Sequence, residues 1–143
     1  MSTTKTENKE LAHTLPREII IEGNLDLVDE YSADDYVGRM SFLPESVDRE
    51  ELKEAATMLH TEFSDLELTV EEVVSEGDKV VRRDRTTCTH EGEFMGIEPT
   101  GKEVEIRVIA IVRFEDGTVV DERYQADDLG LMEQLGVVEP PEE

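Results

Sequence analysis

The sequence predicts an α+β domain in which three N-terminal helices lie over the concave face of a strongly curved, cone-shaped antiparallel sheet and enclose a pocket. Up to about residue 63 the apolar residues recur every three or four positions, as in amphipathic helices. From Asp65 onward they recur every second position, as in strands. Helices followed by strands are typical of the α+β class. The length of 143 residues fits a single domain, 1–143, with frayed tails at 1–8 and 137–143.

Local signals predict where the first two helices begin and end. An apolar stripe with a spacing of four predicts a helix over Lys9–Glu22, which Pro16 should kink. Gly23 suits the position just after a helix end, and Asn24 can cap a second short helix at 25–31.

The third helix has the clearest signals. Asp48, with Glu51 three residues later, forms the pattern of a capping box. The residues that follow place five apolar side chains on one helix face: Leu52, Ala55, Ala56, Leu59 and Phe63.

Four strands should then form an antiparallel meander. The first begins near Asp65 and is interrupted at Glu71-Glu72, which predicts a β-bulge. The second spans 79–90, after a turn at 76–78. The third spans 102–114 and should be central, because its second half is apolar on both faces. Asp116-Gly117 predicts a hairpin into a fourth strand at 118–127, and a short helix follows.

Charge is the most unusual bulk property. The chain has 37 Asp and Glu against 14 Lys and Arg, for a formal net charge of −23. Such a surface repels itself at low salt and is relieved by screening. Because the acids are spread along the chain, we favour a salt-rich cytoplasm over a basic partner as the explanation. Binding to nucleic acid phosphates is not expected.

Composition also excludes several classes. No apolar stretch is long enough to span a membrane, and the N-terminus lacks the apolar stretch of a signal peptide. The single cysteine, Cys88, excludes an internal disulfide, fits a reducing cytoplasm and, with three scattered histidines, does not predict a zinc site. We interpret Cys88 as an inert thiol.

Four segments resemble the SnoaL-like polyketide cyclases, also called ester cyclases, which share the cone fold of nuclear transport factor 2. The most specific are THEGEFMGIEPTGKEVEIR, at 89–107, and the ending DDLGLMEQLG within 112–136. The other two are EGNLDLVDEYSADDYV, at 22–37, and EGDKVVRR, at 76–83. Together they cover about 115 residues in the expected order.

The resemblance implies acid–base catalysis without a metal ion or organic cofactor, and a homodimer. In the cyclases a carboxylate in the cavity takes a proton next to a carbonyl group. The aspartate of the closing motif corresponds to Asp127 here, and a histidine before the Gly-Glu-Phe loop corresponds to His90. Two strand arginines correspond to Arg83 and Arg107.

The chain departs from the family pattern at positions that line the pocket in cyclases. Arg123 replaces a tryptophan, Arg39 replaces a common histidine, Pro16 replaces an aromatic residue, and Ala110 replaces a polar residue. The substrate, or the activity itself, can therefore differ from that of the cyclases.

Each candidate also has a structural interpretation. Asp127 shares a strand face with Arg123 and is either a general base in the cavity or a cap for the last helix. His90 is either a proton relay or a half-buried structural residue. The strand arginines, Arg85 included, either orient a ligand or pair with acids such as Glu105 and Asp121.

Further candidate pocket residues are Tyr36, Phe94 and Met95, for which core packing is an equal explanation. The preferred hypothesis is a cofactor-free cyclase, isomerase or hydrolase acting on a small hydrophobic carbonyl or ester compound. The alternatives are a non-catalytic small-molecule-binding protein in a halophilic organism and a pure interaction module. No nucleic acid or membrane partner is expected.

The net charge of −23 generates a prediction about salt. We expect the melting temperature to rise markedly between low and molar NaCl, because screening weakens repulsion among the acids. Thermal unfolding followed by circular dichroism across that range measures it. A flat melting temperature would contradict the halophilic interpretation.

Overall fold

The computed structural model of the chain describes residues 2–139, and side-chain burial from residue 7 onward. The first helix, α1, spans Ser2–Pro16. Residues 2–8, which the sequence predicts to be frayed, are therefore helical. Residues 137–139 follow the last helix without regular structure, while 1 and 140–143 of the predicted tails lie outside the described residues.

The other helices follow the predicted order with one local change. After Pro16 the chain continues as a π-helical segment, Arg17–Ile21, so the proline marks a change of helix type. The second helix, α2, spans Asp26–Tyr31. The predicted cap by Asn24 is wrong, since its side chain binds Glu18 at 2.7 Å instead. Gly23 does take the left-handed conformation, with φ of 74°.

The third helix, α3, spans Arg49–Glu62 and begins with the predicted capping box. The Asp48 carboxylate accepts from the Glu51 N–H at 2.8 Å, and the Glu51 carboxylate accepts from the Asp48 N–H at 3.1 Å. A fourth helix, α4, spans Asp128–Leu135 and ends at Gly136 with φ of 83°.

A five-stranded sheet forms the other layer. Its strands are β1 (Ser32–Met40), β2 (Phe63–Glu76), β3 (Lys79–His90), β4 (Glu103–Glu115) and β5 (Thr118–Ala126). Their order is β1-β5-β4-β3-β2, which places β4 at the centre as predicted. The α+β architecture and the four-stranded meander are confirmed, but the sheet is mixed because β1 pairs in parallel with β5.

Strand β1 was not predicted. Only Tyr36 and Gly38 of its nine residues are buried, so its apolar alternation is weak. Its hydrogen-bonding partner in the sheet, β5, is about 80 residues away in sequence, beyond the reach of local pattern analysis.

Two of the register shifts in the sheet bear on the predicted bulge and on the cavity wall. The β2–β3 pairing shifts register between Val70 and Glu72, where the bulge was predicted. The β4–β5 pairing shifts between Arg113 and Phe114, which pair with Asp121 and Val119, respectively. This second bulge shifts the alternation of β5 by one residue beyond Val119.

Two groups of buried side chains hold the helices against the concave face. One joins α1 to the sheet at Ala12, Leu15, Val80, Val112 and Phe114. The other surrounds Phe63 and joins Cys88, Phe94, Val104, Leu131 and Leu135. Between these groups the concave face is not filled, and the open space forms the cavity described below.

Candidate ligand cavity

The space between the helices and the concave face is a cavity of about 660 Å³, in the range of small-molecule sites. Most of its wall is apolar, contributed by α1, the π-helical segment, α3, the sheet and α4. Met58 and Met95 line it while remaining 57% and 60% exposed, which places them at its mouth. The enclosed pocket predicted from the sequence is therefore present.

A polar cluster interrupts the apolar wall on the side of the sheet. Alternate residues of β3 face inward, and among them Arg82, Asp84 and Thr86 line the cavity. The shifted alternation of β5 adds Glu122 and Tyr124 to the same wall. We call Arg82, Asp84 and Glu122 the charged triad.

Arg82 is held from two sides in the charged triad. Its Nε donates to Asp84 Oδ2 at 2.7 Å, and its Nη1 donates to Glu122 Oε1 at 3.2 Å. The Tyr36 hydroxyl donates to Glu122 Oε2 at 3.0 Å from behind. Arg82 is 5% exposed and Asp84 2% exposed, so these charges depend on one another rather than on water.

One oxygen of the triad has no partner in the described residues. Asp84 Oδ1 is fully buried and accepts no hydrogen bond from the protein, although Asp84 lines the cavity. Burial raises the pKa of Asp84, an effect that Arg82 partly opposes. An aspartate with a raised pKa in the wall of a cavity has a property that a general base needs.

Burial also raises the pKa of neighbouring groups. Burial raises the pKa of Tyr124, so its phenol stays protonated and can donate a hydrogen bond into the cavity. Burial also raises the pKa of Tyr36, an effect reinforced by Glu122. Burial raises the pKa of Glu62, which lines the cavity outside the charged triad, as Asp128 does.

The expectation that Asp127 and Arg123 face the cavity is wrong. They do share one face of the final strand region, but it is the outer one, because the bulge after Val119 turns Glu122 and Tyr124 inward instead. Arg123 is 64% exposed and lies 3.6 Å from Asp121. Asp127 is exposed and caps α4, accepting from the Gly130 N–H at 2.9 Å.

His90 is completely buried, but it does not line the cavity. Its Nδ1 accepts from the Thr100 N–H at 3.2 Å and lies 3.1 Å from the Thr100 hydroxyl. Its ring lies 5.5 Å from the Phe63 ring, measured between centroids. His90 therefore holds the loop 91–102 in place, and Phe94 and Met95 of this loop line the cavity.

The other predicted arginines lie on the outer face of the sheet. Arg83 pairs with Glu72 at 3.5 Å, Arg107 with Glu105 at 2.9 Å, and Arg39 with Asp121 at 3.7 Å. These arginines therefore pair with acids, as the second interpretation predicts. Arg85 also pairs with an acid, since it lies 3.5 Å from Glu105. None of them lines the cavity.

The remaining candidates lie in or beside the cavity. Phe94 and Met95 form part of its wall. Tyr36 lies behind the charged triad and donates to Glu122. Ala110 is fully buried, and Pro16 lines the cavity, so both departures from the family pattern are located inside the fold.

Sequence reasoning missed Arg82, Asp84, Glu122 and Tyr124. A signal for the first two existed: they alternate in phase with Val80 and Cys88, the apolar residues of β3. The β5 pair carried no comparable signal, because a bulge decides which residues of that strand face inward.

Two classes of feature are absent from the part of the chain that the structure describes. No cluster of three or more His, Cys, Asp or Glu side chains is arranged to hold a metal ion there. No helix there is long and apolar enough to cross a membrane.

Burial raises the pKa of the Cys88 thiol to about 11, which keeps it unreactive.

The comparison with protein families decides the family. The model of the SnoaL-like polyketide cyclases matches residues 10–135, nearly the whole chain. The chain belongs to the SnoaL-like polyketide cyclase family. No functionally curated protein matches its sequence significantly.

Several solved structures share the fold. AclR from Streptomyces galilaeus, described as a candidate hydroxylase, is 27% identical, with a TM-score of 0.83 over 97% of this chain and 87% of that one. A candidate SnoaL-like polyketide cyclase from Jannaschia sp. CCS1 is also 27% identical, with a TM-score of 0.80 over 96% of each chain. IdmH from Streptomyces antibioticus, a candidate polyketide cyclase, is 30% identical, with a TM-score of 0.73 over 85% of this chain and 94% of that one. Relatives described by different reactions share one scaffold, so the reaction depends on each cavity.

The raised pKa of Asp84 generates a prediction about pH. Its folded-state pKa lies above the usual 3.8, so its contribution to stability is present below pH 3.8 and is lost as the pH rises through the raised value. Asn cannot titrate. The free energy of unfolding of Asp84→Asn should therefore rise relative to the wild type with pH across this window, as measured by urea unfolding.

The matched control is Asp35→Asn, at an exposed aspartate of β1. The pH dependence of the difference should be larger for Asp84→Asn than for this control. Equal pH dependence of the two variants would contradict the assignment of a raised pKa to Asp84.

Proposed function

We propose that the protein is a cofactor-free acid–base enzyme that acts on a small hydrophobic carbonyl or ester compound in the cavity. The observation that carries the proposal is a buried aspartate, Asp84, in the wall of a mostly apolar cavity, with one carboxylate oxygen bound to Arg82 and the other without a hydrogen-bond partner in the described residues. Membership in the SnoaL-like polyketide cyclase family supports the same class of chemistry.

Asp84 is the base in this proposal. Its carboxylate takes a proton from the carbon next to a carbonyl group, and the electrons of that C–H bond move toward the carbonyl oxygen. Arg82 donates to Oδ2 at 2.7 Å and so fixes the orientation of the carboxylate. The Tyr124 hydroxyl is the available donor for the enolate oxygen.

Proton transfer by Asp84 can support three reactions. If the proton taken from carbon is returned to a different carbon, the product is an isomer. If the enolate carbon attacks a second carbonyl, a ring closes, and Asp84 returns the proton to the new alkoxide. For hydrolysis, Asp84 would instead take a proton from a water molecule that attacks the ester carbonyl; the acyl C–O bond then breaks, and Asp84 gives the proton to the departing alkoxide. Cyclisation is the reaction that the family name favours.

A non-catalytic binding protein is the second candidate. The specific observation in its favour is that Arg82 donates to Glu122, which also accepts from Tyr36, so few polar groups are left free for a substrate. The two candidate functions differ in what they require of Asp84. The enzyme needs a carboxylate that can take a proton, whereas a binding protein does not.

We further propose a homodimer formed through the outer face of the sheet. Val74 pairs with Val81, and Val81 pairs with Ile111, so an apolar stripe crosses β2, β3 and β4. Val74 is 55% exposed and Ile109 is 52% exposed. Contact of these apolar side chains with water is unfavourable, and burial against a second copy would remove it. A salt-rich cytoplasm remains the proposed location, on the basis of the net charge and the single cysteine.

Proton exchange tests the role of Asp84. In D₂O the wild type should accelerate exchange of the α-protons of 2-tetralone or ethyl benzoylacetate, followed by ¹H NMR. Asp84→Asn should lower this acceleration by at least about 100-fold, the usual contribution of a general base. No acceleration of either compound by the wild type would count against the enzyme.

Asp127→Asn provides the comparison for this experiment. It removes the carboxylate that the family resemblance selects, while asparagine still caps a helix well. Because Asp127 lies outside the cavity, most of the exchange activity should remain. If Asp127→Asn abolished exchange and Asp84→Asn did not, the base would be misassigned.

The dimer has its own test. Ile109→Ser with Ile111→Ser should shift the protein toward the monomer in size-exclusion chromatography with light scattering at high salt. Val137→Ser with Val138→Ser removes exposed apolar area elsewhere and should leave the mass unchanged. A wild type that is monomeric at micromolar concentration would contradict the dimer.

A further inference from the structure

The charges around the cavity are strongly unequal. Among the described residues that line it, Arg82 is the single cation, whereas four carboxylates contribute: Glu62, Asp84, Glu122 and Asp128. The other polar side chains of the lining, among them Ser41, Thr86 and Tyr124, are neutral, so they do not compensate the excess of acids.

The single cation is not free to receive an anion. Arg82 donates through Nε to Asp84 and through Nη1 to Glu122, at 2.7 and 3.2 Å. If Asp84 is ionised, the charged triad has a net charge of −1; if Asp84 is protonated, the triad is neutral. In neither state is it positive.

An incoming carboxylate or phosphate would therefore lose its water without gaining a compensating charge. The wall is mostly apolar, so that loss is large. The carboxylates of the wall add to the cost, because they repel a second anion. A neutral group loses much less, and an ammonium group is attracted by the carboxylates and can contact the aromatic side chains of the wall.

We infer that the cavity selects its ligand by charge, accepting apolar compounds that are uncharged or cationic and excluding their carboxylate counterparts. This inference rests on the proposed function, since it concerns the ligand of the same cavity. It implies that the carbonyl substrate enters as a ketone, ester or amine-bearing compound with any acid group masked.

A matched trio of probes tests the inference: 2-acetonaphthone, 2-naphthylmethylamine and 2-naphthoate. They share one ring system and differ in charge at pH 7.5. Dissociation constants are measured by calorimetry in 1 M NaCl, where the Debye length is about 3 Å and the protein surface is screened. The net charge of −23 then contributes little to the comparison.

We expect 2-naphthoate to bind at least about 10-fold more weakly than the ketone and the amine. The difference should shrink in Asp84→Asn and in the double variant Glu62→Gln with Asp128→Asn. The matched double variant Glu71→Gln with Glu76→Gln removes two exposed acids outside the cavity and should keep it.

Three results would overturn the inference. They are a naphthoate affinity within 10-fold of the ketone's, binding by none of the three probes, or a difference that survives unchanged in both cavity variants. Failure of the proposed function is separate. If Asp84→Asn retained full proton exchange, catalysis by Asp84 would be refuted, while the ratio of affinities would still report charge selection.

Discussion

The architecture of the cavity depends on the burial of one guanidinium group between two carboxylates. A lone buried charge costs several kcal/mol, and a mostly apolar cavity could not tolerate Arg82, Asp84 or Glu122 singly. Together they satisfy most of their hydrogen-bonding groups, with Tyr36 completing Glu122. The arrangement places a polar wall inside a mostly apolar cavity and leaves one oxygen of Asp84 without a hydrogen-bond partner in the described residues. The candidate chemistry and the charge selection both follow from that surplus.

The two faces of the sheet use arginine in opposite ways. On the concave face Arg82 is enclosed and fixed by carboxylates. On the outer face Arg39, Arg83, Arg107 and Arg123 lie in water beside Glu72, Glu105 and Asp121. Exposed pairs of this kind contribute little to stability, so their value lies in neutralising a face of a very acidic protein. That face is also where the exposed isoleucines lie.

How far the sequence predicts the structure depends on the range of each signal. The capping box of α3 and the Asp116-Gly117 hairpin depend on neighbouring residues, and both were predicted correctly. Strand β1 depends on a partner about 80 residues away and was missed. The site was predicted less well, because one extra residue in β5 decides whether Arg123 or Tyr124 faces the cavity. The resemblance selected Asp127, whereas the fold uses it as a helix cap.

The parallel pairing of β1 with β5 bears on how the chain acquires its shape. Most other contacts in the sheet join consecutive strands and can form as soon as each hairpin is synthesised. Edge strand β1 can form its bridge between Gly38 and Val47 early, but it joins the sheet only after β5 has been synthesised. Tyr36, which donates to Glu122, lies on that strand. The polar wall is therefore completed only after β5 is made, and a chain that stops before residue 118 lacks both Glu122 and Tyr124.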